Sequence, residues 1–321
     1  MSQGQESGGR WAELIHRLAR GPRGRSRGPK ILIVTDTAAG LPEQVVQEHA
    51  QQLRVLPMPV TVDQQVYIEG VDDVHTELAL GLALGKRVTT SRPAPGQFLR
   101  VLDQAAQEGF DHVVIVTIAS ALSGTADAAR WAAERSAVPT TVVDSLNVGL
   151  GEGFAVLSAL ERASARAPLS EVLSAARSGQ ASKVWFSVPS LEQLRRGGRI
   201  GAAASVLGTL LNVKPLLSVN ESGAIVAAER TRSMAKAVAR MIELGTAEAG
   251  EDPSIVTIGV HHFGTGDLAH KVVDAMAPLT VRPVLVTPVP AVLAAHTGAG
   301  AIALVVRKDP EVVPIRAGEG N

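Results

Sequence analysis

The residues of this chain best suited to chemistry are hydroxyls, an arginine and a histidine, set beside glycines in short polar stretches. The most unusual stretch is "LEQLRRGGRIG" over 191–201. It has a short helical pattern that stops on Gly197 and Gly198 and then presents Arg199 directly before the apolar run "AAASVLGTLLNVKPLL". Two glycines at that point are an ordinary helix stop. The arginine carries the signal, because a guanidinium held by a tight turn at the edge of an apolar region suits an anionic head with an apolar body behind it. "TIASALSGTADAA" over 117–129 places Ser120, Ser123, Gly124 and Thr125 between a strand end and a helix start. Hydroxyls and amides there make an anion site for a carboxylate or phosphate, and they equally make a plain helix cap, so both readings stay open. "VTTSRPAPGQF" over 88–98 puts Thr89, Thr90 and Ser91 ahead of Arg92 and a proline, and by itself it reads as a loop or helix entry. Asp36 in "TDTAAGLP" and His296 with Thr297 in "AAHTGAGAIAL" complete the set. Beside a ligand Asp36 would orient it or a hydroxyl and His296 would donate to an anion, whereas alone they read as a turn-fixing Asp and a surface His.

A serine enzyme is the rival reading of the same residues, with Ser123 as nucleophile, His296 as base and Asp36 as orienter of a hydrolase or acyltransferase. The sequence offers no strained G-x-S-x-G elbow to support it. "GLALGKR" over 81–87 is one residue short of a phosphate loop and lacks the hydroxyl after Lys86. "GLGEG" over 149–153 misses the last step of a dinucleotide fingerprint. His261 and His262 are adjacent in a strand pattern, so they point to opposite faces and cannot form a same-side metal pair. The absence of cysteine excludes disulfides, thiolate catalysis and cysteine-ligated metals, and no metal or cofactor is expected.

Short β-branched runs at 31–35, 113–119 and 140–144, each followed by an Ala-rich amphipathic segment, predict a parallel sheet with crossover helices. "VLPMPVTVDQQVYIEG" over 55–70 reads as an edge hairpin. Strands are predicted at 183–188, 212–219, 224–229, 254–262, 282–289 and 301–307, with "NESGA" as a hairpin turn and helices near 232–247 and 265–277, which gives a mixed sheet. The fold class is therefore α/β with two α/β domains, an N-terminal one over 30–179 and a C-terminal one over 180–308. The helical stretch 148–179 is the expected hinge, 1–29 a basic flexible leader and 309–321 a tail. In the leader, Trp11, Leu14, Ile15 and Leu18 share one helical face, which suits weak contact with a membrane surface or packing on the body. A net charge of zero removes any global argument for nucleic acid, and no apolar run spans a bilayer, so a cytoplasmic location is expected.

Taken in order, "TDTAAGLP", "VLPMPVTV", "TTSRPAPGQF", "ALSGTADAA", "VVDSLNVGLGEG", "LEQLRRGGRIGAAASVLGTLLNVKPLL" and "AHTGAGAIAL" resemble the DegV family of bacterial fatty-acid-binding proteins. These serve as lipid-presenting subunits of fatty acid kinase, and the resemblance runs from about Lys30 to Lys308. It implies two α/β domains with a long-chain fatty acid between them, the carboxylate at the junction and the tail in an apolar tunnel. It implies that Thr90, Ser123, Arg199 and His296 surround the carboxylate, with Ser91 and Gly124 as adjacent backbone contributors. It also implies a binding protein rather than an enzyme, partnered by a separate ATP-dependent, dihydroxyacetone-kinase-like subunit that forms the acyl phosphate. Thr37, Arg92 and Ala299 depart from the family's usual Ser, Gln and Pro, and Arg92 adds a second cation near the expected head. Burying about 15 methylene and methyl groups at about 0.8 kcal/mol each gives roughly 12 kcal/mol before association costs, so the tail supplies affinity and the polar cluster supplies orientation.

Overall fold

The computed structural model describes residues 28–201, 203 and 214–309. The leader helix, most of the apolar segment after Arg199 and the tail lie outside the described residues. The chain begins with β1 (Ile31–Asp36), α1 (Glu43–Glu48), β2 (Leu53–Leu56), β3 (Val60–Val62), β4 (Gln65–Tyr67), α2 (Val74–Ala83) and β5 (Val88–Thr90). It continues through α3 (Pro95–Gln107), β6 (His112–Thr117), α4 (Thr125–Ala133), β7 (Thr140–Asp144), α5 (Leu150–Ser164) and α6 (Leu169–Arg177). The second half holds β8 (Ser182–Ser187), α7 (Glu192–Arg196), β9 (Lys214–Val219), β10 (Ile225–Thr231) and α8 (Met234–Ala249). It ends with β11 (Val256–His262), α9 (Gly266–Met276), β12 (Leu285–Pro288), α10 (Ala291–Thr297) and β13 (Ile302–Lys308).

The first sheet has the order β2-β1-β6-β7 and is parallel throughout. All six residues of β1 are buried, as a strand covered on both faces requires. The second sheet, β10-β9-β8-β13-β11-β12, is mixed, with only β11 and β12 parallel. The hairpin turn between β9 and β10 is held by Asn220, whose Oδ1 accepts from the N–H groups of Ser222 and Ala224. The α/β class and the two kinds of sheet agree with the expectation from sequence.

A third, small sheet, β4-β3-β5, departs from it. The expected hairpin is present as β3 and β4, but its first two residues, Val55 and Leu56, belong to β2, which pairs with β1 as the parallel edge of the first sheet. Val88–Thr90, expected as loop or helix entry, is a strand because Val60–Val62 supplies an antiparallel partner. The pairing holds Thr90 opposite Val60, and the chain then turns into Ser91 and Arg92.

Helix α5 explains how the two large sheets meet. Ala155, Val156, Ala159, Leu160 and Ala163 pack with Ile31, Ile33, Val114 and Val116 of the first sheet. Leu150, Phe154 and Leu157 pack with Val184, Leu285 and Val305 of the second. Residues 150–157 are buried without a break, so the first two turns of α5 face core on every side. The stretch expected as a hinge thus contributes core to both sheets. Arg307 on β13 fastens the contact, donating through Nη1 to the Phe154 carbonyl and to Ser158 Oγ.

Candidate functional site

The "LRRGGR" turn folds as the glycines dictate. Leu194 is buried and anchors α7, the Gly198 N–H donates to the Arg195 carbonyl, and the Arg199 N–H donates to the Leu194 carbonyl. That double closure needs a left-handed residue, and Gly198 supplies it with φ 69°. Gly197 serves a different end, since its φ of −78° suits any residue. A Cβ there would lie 2.1 Å from His296 Nδ1, so only glycine admits the imidazole.

His296 lies in the last turn of α10 and reaches the small sheet, where Nε2 is 2.8 Å from Thr90 Oγ1. Arg199 donates through Nη1 to the Gly197 carbonyl and through Nε to the Leu122 carbonyl at 3.2 Å. Ser123 follows, its Oγ 2.8 Å from Thr125 Oγ1, and then Gly124 opens α4 without a side-chain cap. A Cβ on Gly124 would lie 2.5 Å from Arg92 Nη1, and Arg92 leads back through Ser91 to Thr90. The contacts therefore close a ring: Thr90, His296, Gly197, Arg199, Leu122–Gly124, Arg92, Ser91.

The ring stands on a cavity of about 410 Å³. Thr90, Ser91, Ser123, Gly124, Arg199 and His296 all line it, so every residue singled out for a ligand head meets at one place. Most of the remaining wall is apolar, with Met58, Ile118, Phe186, Ile225, Val289 and Val292 among its members. Sites of this kind are usually apolar with few convergent polar groups. Burial and then the Arg199 guanidinium pull His296 down to about 4, so the imidazole is neutral near pH 7 and the arginines carry the positive charge.

Asp36 stands apart from the ring. Its carboxylate accepts from the Ala38 N–H at 3.0 Å and the Ile118 N–H at 3.2 Å, tying the ends of β1 and β6 together. Burial raises it to about 7, against those two backbone donors. The set of Ser123, His296 and Asp36 is therefore not assembled: the serine bonds Thr125, the histidine bonds Thr90 and the aspartate bonds backbone. That arrangement lends the serine-enzyme reading no support.

Two lining residues were not singled out as ligand contacts. Thr297 follows His296, and its buried Oγ1 has no hydrogen-bond partner among the described residues. His261, on β11, lines the deeper wall, and its Nε2 accepts from the Leu150 N–H at 2.8 Å while Nδ1 is 3.1 Å from the Pro288 carbonyl. Burial lowers it to about 4, which fits a neutral ring that caps α5. Its position in a strand next to a second histidine gave no sign of that contact.

Residues 30–309 match a family model described as an uncharacterised protein of the DegV family. A DegV domain-containing protein of Streptomyces coelicolor is 37% identical over 279 residues, covering 86% of this chain and 98% of its own. Among solved structures, a fatty-acid-binding DegV family protein from Thermus thermophilus superposes with a TM-score of 0.81 at 34% identity, covering 87% of this chain and all of its own. A fatty acid binding DegV family protein from Streptococcus agalactiae does so with a TM-score of 0.79 at 26% identity, covering 88% and 100%. Fold and site define an α/β protein with a polar-headed apolar cavity. The chain belongs to the DegV family.

Proposed function

We propose that this protein binds one long-chain fatty acid, with its carboxylate in the ring of Thr90, Ser123, Arg199 and His296 and its tail in the apolar cavity between the two large sheets. The observation that carries this reading is the closure of the six head residues on one largely apolar cavity. Arg199 supplies the charge, and the Ser123 and Thr90 hydroxyls and the first amides of α4 supply hydrogen bonds, so the buried carboxylate is compensated. The fatty-acid-binding relatives support the choice of ligand. In this reading the protein is a cytoplasmic binding subunit with domains at 30–179 and 180–308. It presents the carboxylate to a separate ATP-dependent kinase, where the acyl phosphate forms, and it contacts the membrane surface transiently to load. Among the described residues no helix is long and apolar enough to cross a membrane.

Mass spectrometry of an organic extract, beside native mass spectrometry of the intact protein, tests the ligand. One long-chain fatty acid per chain is the expected result. A protein that is empty and also refuses added fatty acid would refute the reading. Presentation is tested separately: Ser123→Ala should bind fatty acid yet impair phosphorylation by the kinase, and full phosphorylation would remove the role of that hydroxyl.

A further inference from the structure

A second cavity, of about 750 Å³, lies between the loop at 68–75 and the ends of β1 and β12. Leu41, Val46 and Ile68 belong to its apolar wall, and Glu43, Glu69, Asp72 and Asp73 line it beside the buried Asp36. No lysine or arginine lines it, and among the described residues none pairs with those four carboxylates. Val71, also in the lining, is 80% exposed, more than any other large apolar side chain among the described residues. An apolar groove edged by uncompensated negative charge suits a segment that is apolar along one side and basic beside it.

The chain carries such a segment. Residues 1–27 hold six arginines against two glutamates, and because the whole chain is neutral the remainder carries a net charge of −4. At helical spacing Trp11, Leu14, Ile15 and Leu18 fall on one side, with Arg10 and Arg17 along its edge. The leader also starts from the right place. Gly28 lies against the Arg166 carbonyl just after α5, and Leu41 and Val46 of the groove pack on the same core as α5, so both ends of the path share one face of the first sheet. They are about the length of β1 apart, roughly 20 Å for its six residues, and residues 21–27 extended cover about 23 Å. We propose that this groove is the docking site of the chain's own leader, residues 10–20, with the apolar side on the groove wall and the arginines against the carboxylates. Glu69 accepts from the Ala291 N–H, so a leader seated there packs behind the helix that carries His296. Neither the groove nor the leader enters the binding reading of the ring.

The chain has no cysteine, so a pair of spin labels can be placed cleanly on the full-length protein. With Ala12→Cys in the leader and Gln44→Cys on the exposed side of α1, pulsed electron paramagnetic resonance should give one narrow, short distance at low salt. In 1 M salt, where the screening length falls to about 3 Å, that distance should broaden. Glu43→Lys with Asp73→Lys should abolish it. Arg10→Glu with Arg17→Glu should abolish it too while leaving the body unaltered, and all four changes together should bring it back, which a misfolded groove could not do. A broad distribution in the wild type, or a narrow one that survives both charge reversals, overturns the proposal. A short distance that appears on mixing two singly labelled chains also overturns it, giving the groove to the leader of a second copy. A leader that takes a fixed position only on anionic vesicles overturns it in favour of a lipid surface.

Discussion

At the scale of the residue, Gly197 and His296 form a pair that can be tested by adding one methyl group. The backbone at Gly197 suits alanine, so Gly197→Ala should cost less than about 1 kcal/mol of stability. Its Cβ would nevertheless occupy the space of His296 Nδ1 and push the imidazole off Thr90. Fatty acid binding should weaken by roughly tenfold while binding of the matching alcohol changes little. Equal losses for both ligands, measured by calorimetry, would show that the ring does not read the carboxylate. Titration of His296 gives a second measurement. Its value of about 4 lies below the usual 6.5, so its contribution to stability is complete above about 6.5 and is lost as pH falls towards about 4. A bound carboxylate opposes the field of Arg199 and should move the ring's titration upward in NMR, with His296→Gln identifying the signal. An unmoved titration at saturating palmitate would place the carboxylate elsewhere.

At the scale of the element, α10 carries His296 at one end and is held at the other by a residue outside the ring. Both oxygens of Glu69 lie 3.2 Å from the Ala291 N–H, and His75 Nε2 stands 3.8 Å from Oε1. Burial raises Glu69, and the Ala291 N–H and His75 oppose the rise. Losing such an acceptor at a helix start costs about 1 kcal/mol, so Glu69→Ala should weaken both folding and fatty acid binding. Glu69→Gln keeps an acceptor oxygen and should restore most of each, and a Gln variant as weak as Ala would mean that the charge rather than the hydrogen bond holds the helix. These elements also explain what the sequence could reveal. Strands β1 and β6 were legible because each is a β-branched run buried on both faces, and the glycine-arginine turn was legible because its stop signal is local. Strand β5 was not, since three residues carry no period and their partner lies at 60–62. The bond between Thr90 and His296 spans 206 positions, and no local pattern records it. The resemblance to a family named in advance six residues that line one cavity, whereas the buried Thr297 Oγ1 and the capping role of His261 needed the packing.

At the scale of the whole molecule, the two large sheets meet through α5, and that contact buries carboxyls as well as apolar side chains. Glu152 is fully buried in the first turn of α5, with Oε1 accepting from Thr35 Oγ1 at 3.0 Å and Oε2 without a hydrogen-bond partner among the described residues. Burial first, and then the neighbouring Asp36, raise it well above the usual carboxyl range. A raised value means that the folded state holds a proton the unfolded state has already released. Stability therefore falls as pH rises, beginning near the ordinary carboxyl value of 4.5 for Glu152 and running from about 4 to about 7 for Asp36. The two buried histidines run the other way over part of this window, gaining stability between about 4 and 6.5. Glu152→Gln keeps an acceptor for Thr35 and removes the ionisation. Below about pH 4 the variant should match the wild type, because the carboxyl is then protonated in the folded and unfolded states alike. At pH 8 it should be more stable than the wild type, read as a higher melting temperature. Asp36→Asn should behave differently, since an amide presents one acceptor where two backbone N–H groups need two, and it should be weaker than the wild type already at pH 5. If Glu152→Gln instead melts with the same pH slope as the wild type, Glu152 does not set the pH response, and the slope must be sought in Asp36 and the histidines.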